Sequence, residues 1–190
     1  MKKTRLNVLT ASAVLAALST IIYYFLPEIP IIPGVPYLKI DLSDFPAIIA
    51  AFVFGPLAAI AVELIKNLIH LFKTSTFGIG EICNFIVGIS LAIPFAFFYK
   101  LFNKRNVKQS LAYFFAAVAG IISIVVFGLA ANFIFVPVYF KLAHIPFVSS
   151  AYISFSLSSV PLNLVKGIIN AIVILPILFA LKRSKIYSDK

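Results

Sequence analysis

The chain has 190 residues, 62% of them hydrophobic and 12% charged, with a formal net charge of +10 and a mean hydropathy of +1.09. A soluble domain carries about a quarter charged residues, so this composition excludes a water-facing globular fold. One cysteine, Cys83, excludes a disulfide framework and a cysteine-based metal site.

In chain order the apolar runs are roughly 7–26, 43–72, 79–101, 108–136 and 155–181. They are long and continuous, unlike the short alternating segments of a membrane β-barrel. The expectation is an all-α membrane protein, one domain over 1–190. Met1–Arg5 is basic, but the run after it is of span length and lacks a cleavage site, so it reads as a first helix rather than a signal peptide. Residues 27–42 hold Pro27, Pro30, Pro33 and Pro36, which predicts a stiff extended segment suited to a lid. The run 43–72 is too long for one upright crossing and is interrupted by Gly55-Pro56.

Basic residues decide whether that run is one span or two. Lys2, Lys3 and Arg5, then Lys100, Lys104, Arg105 and Lys108, then Lys182, Arg183, Lys185 and Lys190 account for eleven of the 16 Lys and Arg. The positive-inside rule places all three clusters in the cytoplasm, so an even number of crossings separates each from the next. Six transmembrane helices follow, at about 7–26, 43–54, 56–72, 79–101, 108–136 and 155–181, with both termini cytoplasmic. The segments 27–42, 73–79 and 137–155 then lie outside. The +10 charge marks topology, and no nucleic-acid partner is expected.

Polar groups within the helices gather at the outer end. Asp41 and Asp44 precede helix 2; Glu63, Lys66, Asn67 and His70 share one face of helix 3 at i, i+3, i+4 and i+7. Glu81 and Asn84 open helix 4, Asn132 lies near the outer end of helix 5, and Asn163 and Lys166 stand i, i+3 in helix 6. The inner halves of helices 4 to 6 are nearly all apolar. A carrier places its site near the midplane and a channel lines a continuous path; a pocket sealed beneath fits capture of a solute from outside.

Each group also has a plainer role. Glu63 and Lys66 can neutralise each other, Asn67 and Asn132 can join helices, and Asp41 and Asp44 can be solvated acids or caps. His70 and His144 read as interfacial, and Cys83 as a small buried hydrophobe. Lys166 has no acid within a turn, so its partner comes from another helix or from a ligand. No metal site, GxxxxGK[ST], GxSxG or HExxH is present, so the chain reads as no enzyme and as carrying no ATPase of its own. Ala13 and Ala17, four apart in helix 1, allow close helix approach, either inside the bundle or to a partner.

The stretches Leu38-Lys39-Ile40-Asp41-Leu42-Ser43-Asp44-Phe45-Pro46, Phe54-Gly55-Pro56-Leu57, Glu63 to His70 and Gly80-Glu81-Ile82-Cys83-Asn84-Phe85 resemble the substrate-binding S components of energy-coupling factor (ECF) vitamin transporters, most of all the riboflavin-specific type. Where the family often reads G-E-L-A-N, this chain has Ile82 and Cys83. The resemblance implies six helices in a prokaryotic plasma membrane and riboflavin or FMN bound from outside as transported ligand, with no cofactor. It also implies assembly with a membrane coupling protein and two cytoplasmic ATPases, and release by tipping of the whole subunit. It makes Asn132, Asn163 and Lys166 ligand contacts and Ala13 and Ala17 the coupling contact; with the outer polar cluster and the matched stretches, the candidate substrate contacts are Lys39, Asp44, Asn67, Glu81, Asn84, Asn132, Asn163 and Lys166. Another vitamin (folate, pantothenate or a thiamine-like solute) remains open on the residues alone, as does a self-sufficient secondary carrier.

Overall fold

A computed structural model describes residues 4–25, 29–30 and 39–183. Helix α1 (Arg5–Phe25) is followed by a two-residue antiparallel ladder, β1 (Ile29–Pro30) with β2 (Lys39–Ile40), in which Ile29 pairs with Ile40. Then come α2 (Phe45–Val53), α3 (Pro56–His70), a 3-10 turn (Leu71–Lys73), α4 (Ile79–Lys104), α5 (Gln109–Leu142) and α6 (Ser149–Arg183). Apart from the ladder, the regular structure of the described residues is helical, as the composition requires. Four helices, α1, α4, α5 and α6, are long and apolar enough to cross a membrane. Helices α2 and α3 have 9 and 15 residues, about 14 and 22 Å at ~1.5 Å per residue, each short of the ~30 Å hydrocarbon layer.

The α2–α3 break falls at Gly55-Pro56. Gly55 adopts φ +103°, a conformation open chiefly to glycine. Pro56 starts α3, where a missing N–H leaves no helical bond unmade. Lys100 of α4 donates to the Ala51 carbonyl at 3.1 Å and so satisfies an otherwise orphaned acceptor in the last turn of α2. Helix α2 is central: it packs against α1, α3, α4 and α6, and seven of its nine residues are buried. Its Ala47, Ala50 and Ala51 meet Ala59 of α3 and Ala92 of α4 in one core cluster, the small-residue packing by which membrane helices approach closely. Leu9, Val14, Ile122, Val126 and Phe127 point outward, an apolar girdle matched to lipid.

Two helices are longer than the apolar runs predict. Helix α5 continues from 136 through Pro137 to Leu142, and α6 begins at Ser149 rather than near 155, so the expected outer segment 137–155 shrinks to 143–148. Pro137 removes one backbone donor, a loss that membrane helices absorb when packing holds both sides. Here Val136 and Phe140 are buried, Phe140 sits edge-on to Phe155 at 5.3 Å, and the Tyr152 hydroxyl donates to the Phe133 carbonyl at 2.9 Å. Packing between the two ends overrides the proline signal.

Gly120 of α5 lies close against α4, since a Cβ there would meet Leu91 and Phe95 at 3.2 Å. Gly120→Val is expected to destabilise the bundle by about 1–3 kcal/mol through overpacking, read as a lowered thermal midpoint in detergent.

Candidate functional site

The ends of α1 and α3, the start of α4 and the second half of α5 meet α6 around a cavity of about 230 Å³. Tyr23 reaches it from α1, His70 from α3, Glu81 and Asn84 from α4, Asn132 from α5, and Asn163 and Lys166 from α6. The basic start of α1 and the turn joining α4 to α5 lie at the opposite end of these helices. Asp41, Asp44, Glu63 and Glu81 are the acids among the described residues, and all four lie in or behind this cavity.

Behind the wall runs a buried ion network. The Asp44 carboxylate is shared by two lysines: Lys66 Nζ lies 2.6 Å from Oδ1 and Lys166 Nζ 2.9 Å from Oδ2. Lys66 also meets Glu63 Oε2 at 2.6 Å. Lys166 meets Asp41 Oδ2 at 3.0 Å and donates to Asn84 Oδ1 at 2.7 Å. Asn84 Nδ2 in turn donates to Asn67 Oδ1 at 3.3 Å, and Asn67 Nδ2 to the Glu63 carbonyl at 2.8 Å. The side chains of Asp44, Glu63 and Lys66 are wholly buried. Pairing of this kind is what makes ionised groups tolerable in an apolar interior. It requires Gly88 on α4, where a Cβ would stand 2.4 Å from the Glu63 carboxylate.

Asp41 lies ahead of α2 in a local turn, accepting from the Ser43 N–H at 2.9 Å and from the Ser43 hydroxyl. Burial by itself would push its carboxyl up; Lys166, Lys66 and Ser43 outweigh that and hold it well below the usual carboxylate range.

A second cluster forms one wall near the start of α4. His70 Nδ1 lies 3.0 Å from Glu81 Oε1. Glu81 Oε2 accepts from Thr74 at 2.8 Å and Thr76 at 3.3 Å. The Tyr23 ring stacks on His70 with centroids 3.7 Å apart and planes 18° from parallel. Across the cavity Asn132 Nδ2 donates to the Gly128 carbonyl at 2.9 Å. Asn163 is 2% exposed, and its Nδ2 has no hydrogen-bond partner among the described residues. Gly128 makes room for it, since a Cβ there would fall 2.0 Å from that nitrogen.

Five of the expected contacts, Glu81, Asn84, Asn132, Asn163 and Lys166, therefore line one cavity. Asp44 and Asn67 stand behind it, in the ion network. Lys39 has its backbone in β2, while its side chain lies outside the described residues. Lys166 finds its acids in the segment before α2. Glu63 and Lys66 do pair. His70 is 5% exposed, bonded to Glu81 and stacked on Tyr23. Cys83 is half-buried and lines the cavity, which a small core residue would not. Tyr23 and Tyr139, also in the lining, carried no sequence signal, since aromatic residues at membrane helix ends are common. Ala13 and Ala17 face outward on α1, whose buried residues are Ser12, Ala16, Ser19 and Tyr23. Among the described residues no group of three or more His, Cys, Asp or Glu is placed to hold a metal ion.

Residues 7–178 match the family model for the ECF transporter, substrate-specific component. The chain is 37% identical over 158 residues to the riboflavin transporter FmnP of Bacillus subtilis (strain 168), covering 79% of this chain and 80% of that protein. It is 32% identical over 164 residues to the riboflavin transporter RibU of Staphylococcus aureus (strain TCH60), covering 85% and 82%. A solved structure of the S component of a bacterial ECF transporter superposes with a TM-score of 0.74 at 24% identity, covering 95% of this chain and 98% of that one.

Lys66→Met would leave Glu63 without its cation and Asp44 with Lys166 alone, and is expected to cost about 3–5 kcal/mol. Gly88→Ala should act in the same direction by displacing Glu63. Both would appear as a lower midpoint in thermal unfolding followed by circular dichroism.

Proposed function

The chain belongs to the substrate-specific components of ECF transporters, and from that premise we propose that its cavity captures riboflavin on the outer side of the membrane. The protein is a multi-pass integral membrane protein of the prokaryotic cell membrane, a substrate-binding subunit rather than an enzyme. The observation that carries the ligand reading is Asn163: a buried amide donor in the cavity lining that no described protein group satisfies. An unpartnered buried donor is costly, and a carbonyl or ring nitrogen of a flavin relieves it. Lys166, Asn84 and Asn132 supply further polar contacts for carbonyls and ribityl hydroxyls. Tyr23, His70 and Tyr139 add ring faces and edges for a flat aromatic ligand. The names of the two relatives support the same ligand, and FMN is its phosphorylated alternative.

The proposed topology has six crossings with both termini inside. Helices α2 and α3 cross together as a hairpin, α2 buried among α1, α3, α4 and α6 and α3 turning Leu57, Leu64 and Leu68 outward to lipid. The basic ends then lie in the cytoplasm and the cavity opens outward. A membrane coupling protein and two ATPases supply the energy, the coupling protein approaching α1 at Ala13 and Ala17.

Quenching of flavin fluorescence on titration with the purified protein tests the ligand. Riboflavin is expected to be quenched to saturation; if both riboflavin and FMN stay unquenched, the flavin reading is wrong. Asn163→Ala should weaken riboflavin binding about tenfold or more, and Gly128→Ala, which displaces the same amide, should do likewise while both variants stay folded. Bound riboflavin should also slow labelling of Cys83 by a thiol reagent. The chain has one cysteine, so the label reports the cavity alone. Equal labelling with and without riboflavin would place the ligand elsewhere.

A further inference from the structure

Opposite the cavity, the turn between α4 and α5 carries cations that meet no counter-charge among the described residues. Lys104, Arg105 and Lys108 are all exposed. Hydrogen bonds from Arg105 and Val107 N–H to the Phe102 carbonyl, both at 3.2 Å, and from Asn106 N–H to Asn103 at 3.1 Å hold the turn tight. Asn106 takes the left-handed conformation, φ +56°, that asparagine tolerates. The three charges are thus presented together on a short, fixed segment. The sequence contains no Asp or Glu between Glu81 and Asp189. All four acids of the described residues are committed at the other end of the bundle, each bound to lysine or histidine. The fourth cation of the cluster, Lys100, is directed inward to Ala51.

The same turn is bordered by aromatic rings. Phe98 stacks on Phe102 at 6.3 Å, and Phe102 meets Phe115 across the α4–α5 seam at 5.2 Å. Phe97 is 60% and Phe114 57% exposed, each about two helical turns from the cations. Rings at this depth beside lysine and arginine are the chemistry of the membrane–water interface, with acyl chains against the rings and headgroups at the cations.

We propose that the α4–α5 turn is a binding site for an anionic phospholipid, its phosphate held by Lys104, Arg105 and Lys108 and its acyl chains lying along Phe97 and Phe114. The lipid supplies a negative charge that no acid of the described residues brings to this turn. The site is independent of the flavin reading, being on different residues at the opposite end of the helices.

Native mass spectrometry of the full chain in neutral detergent, titrated with phosphatidylglycerol or phosphatidylcholine, tests it. Phosphatidylglycerol is expected to bind more tightly than phosphatidylcholine. A K104Q/R105Q/K108Q variant should lose at least about tenfold of that affinity, whereas Lys141→Gln, an exposed cation beyond the cavity end, should leave it unchanged. In nanodiscs, phosphatidylglycerol should raise the thermal midpoint of the unaltered chain more than that of the triple variant. Equal binding of the two lipids, or undiminished phosphatidylglycerol binding by the triple variant, overturns the proposal. Circular dichroism of the triple variant separates loss of the site from loss of the fold.

Discussion

The sharing of one carboxylate, Asp44, between Lys66 and Lys166 is the contact on which the arrangement of this protein depends. Asp44 stands at the head of α2, Lys66 on α3 and Lys166 on α6, so a single buried acid ties the central hairpin to the last helix. None of the three could be buried alone; in an apolar interior an unpaired charge is far costlier than any packing gain nearby. The pairing therefore sets the relative depth of three helices. It also explains why α2 is short: its first turn must begin at the level of the ion pairs, inside the bundle.

The cavity follows from that arrangement. Lys166 is held from behind by Asp41 and Asp44 and from the side by Asn84, which leaves it as part of a firm wall rather than a mobile tether. Glycines at 88 and 128 let Glu63 and Asn163 pass close to neighbouring helices. Polar groups on five helices thus reach one space without exposing their backbones to lipid. Such preorganisation lowers the ordering cost of binding, consistent with an S component that must hold its solute until other subunits act.

Charge is separated along the molecule. The four acids of the described residues all lie at the cavity end, Asp41, Asp44 and Glu63 paired with lysines and Glu81 with His70, whereas Lys104, Arg105 and Lys108 stand exposed at the other end. In the proposed topology these cations face the cytoplasm, where the α4–α5 turn would meet anionic headgroups.

Much was legible without coordinates. Hydropathy runs located the helices, Gly55-Pro56 marked the hairpin, and the i, i+3 pairs Glu81/Asn84 and Asn163/Lys166 were set toward one space, because helical periodicity and the aversion of lipid to charge are local rules that a sequence obeys residue by residue. The sequence alone also predicted that Lys166 needs a partner from elsewhere. Which partner, and which polar residues line the cavity rather than brace it, are matters of distance between segments far apart in the chain. Only the tertiary structure put Asp44 and Asn67 behind the wall, drew His70 inward against Tyr23 and Glu81, opened Cys83 to the cavity and carried α5 past Pro137, since each depends on packing between helices that periodicity within one helix cannot express.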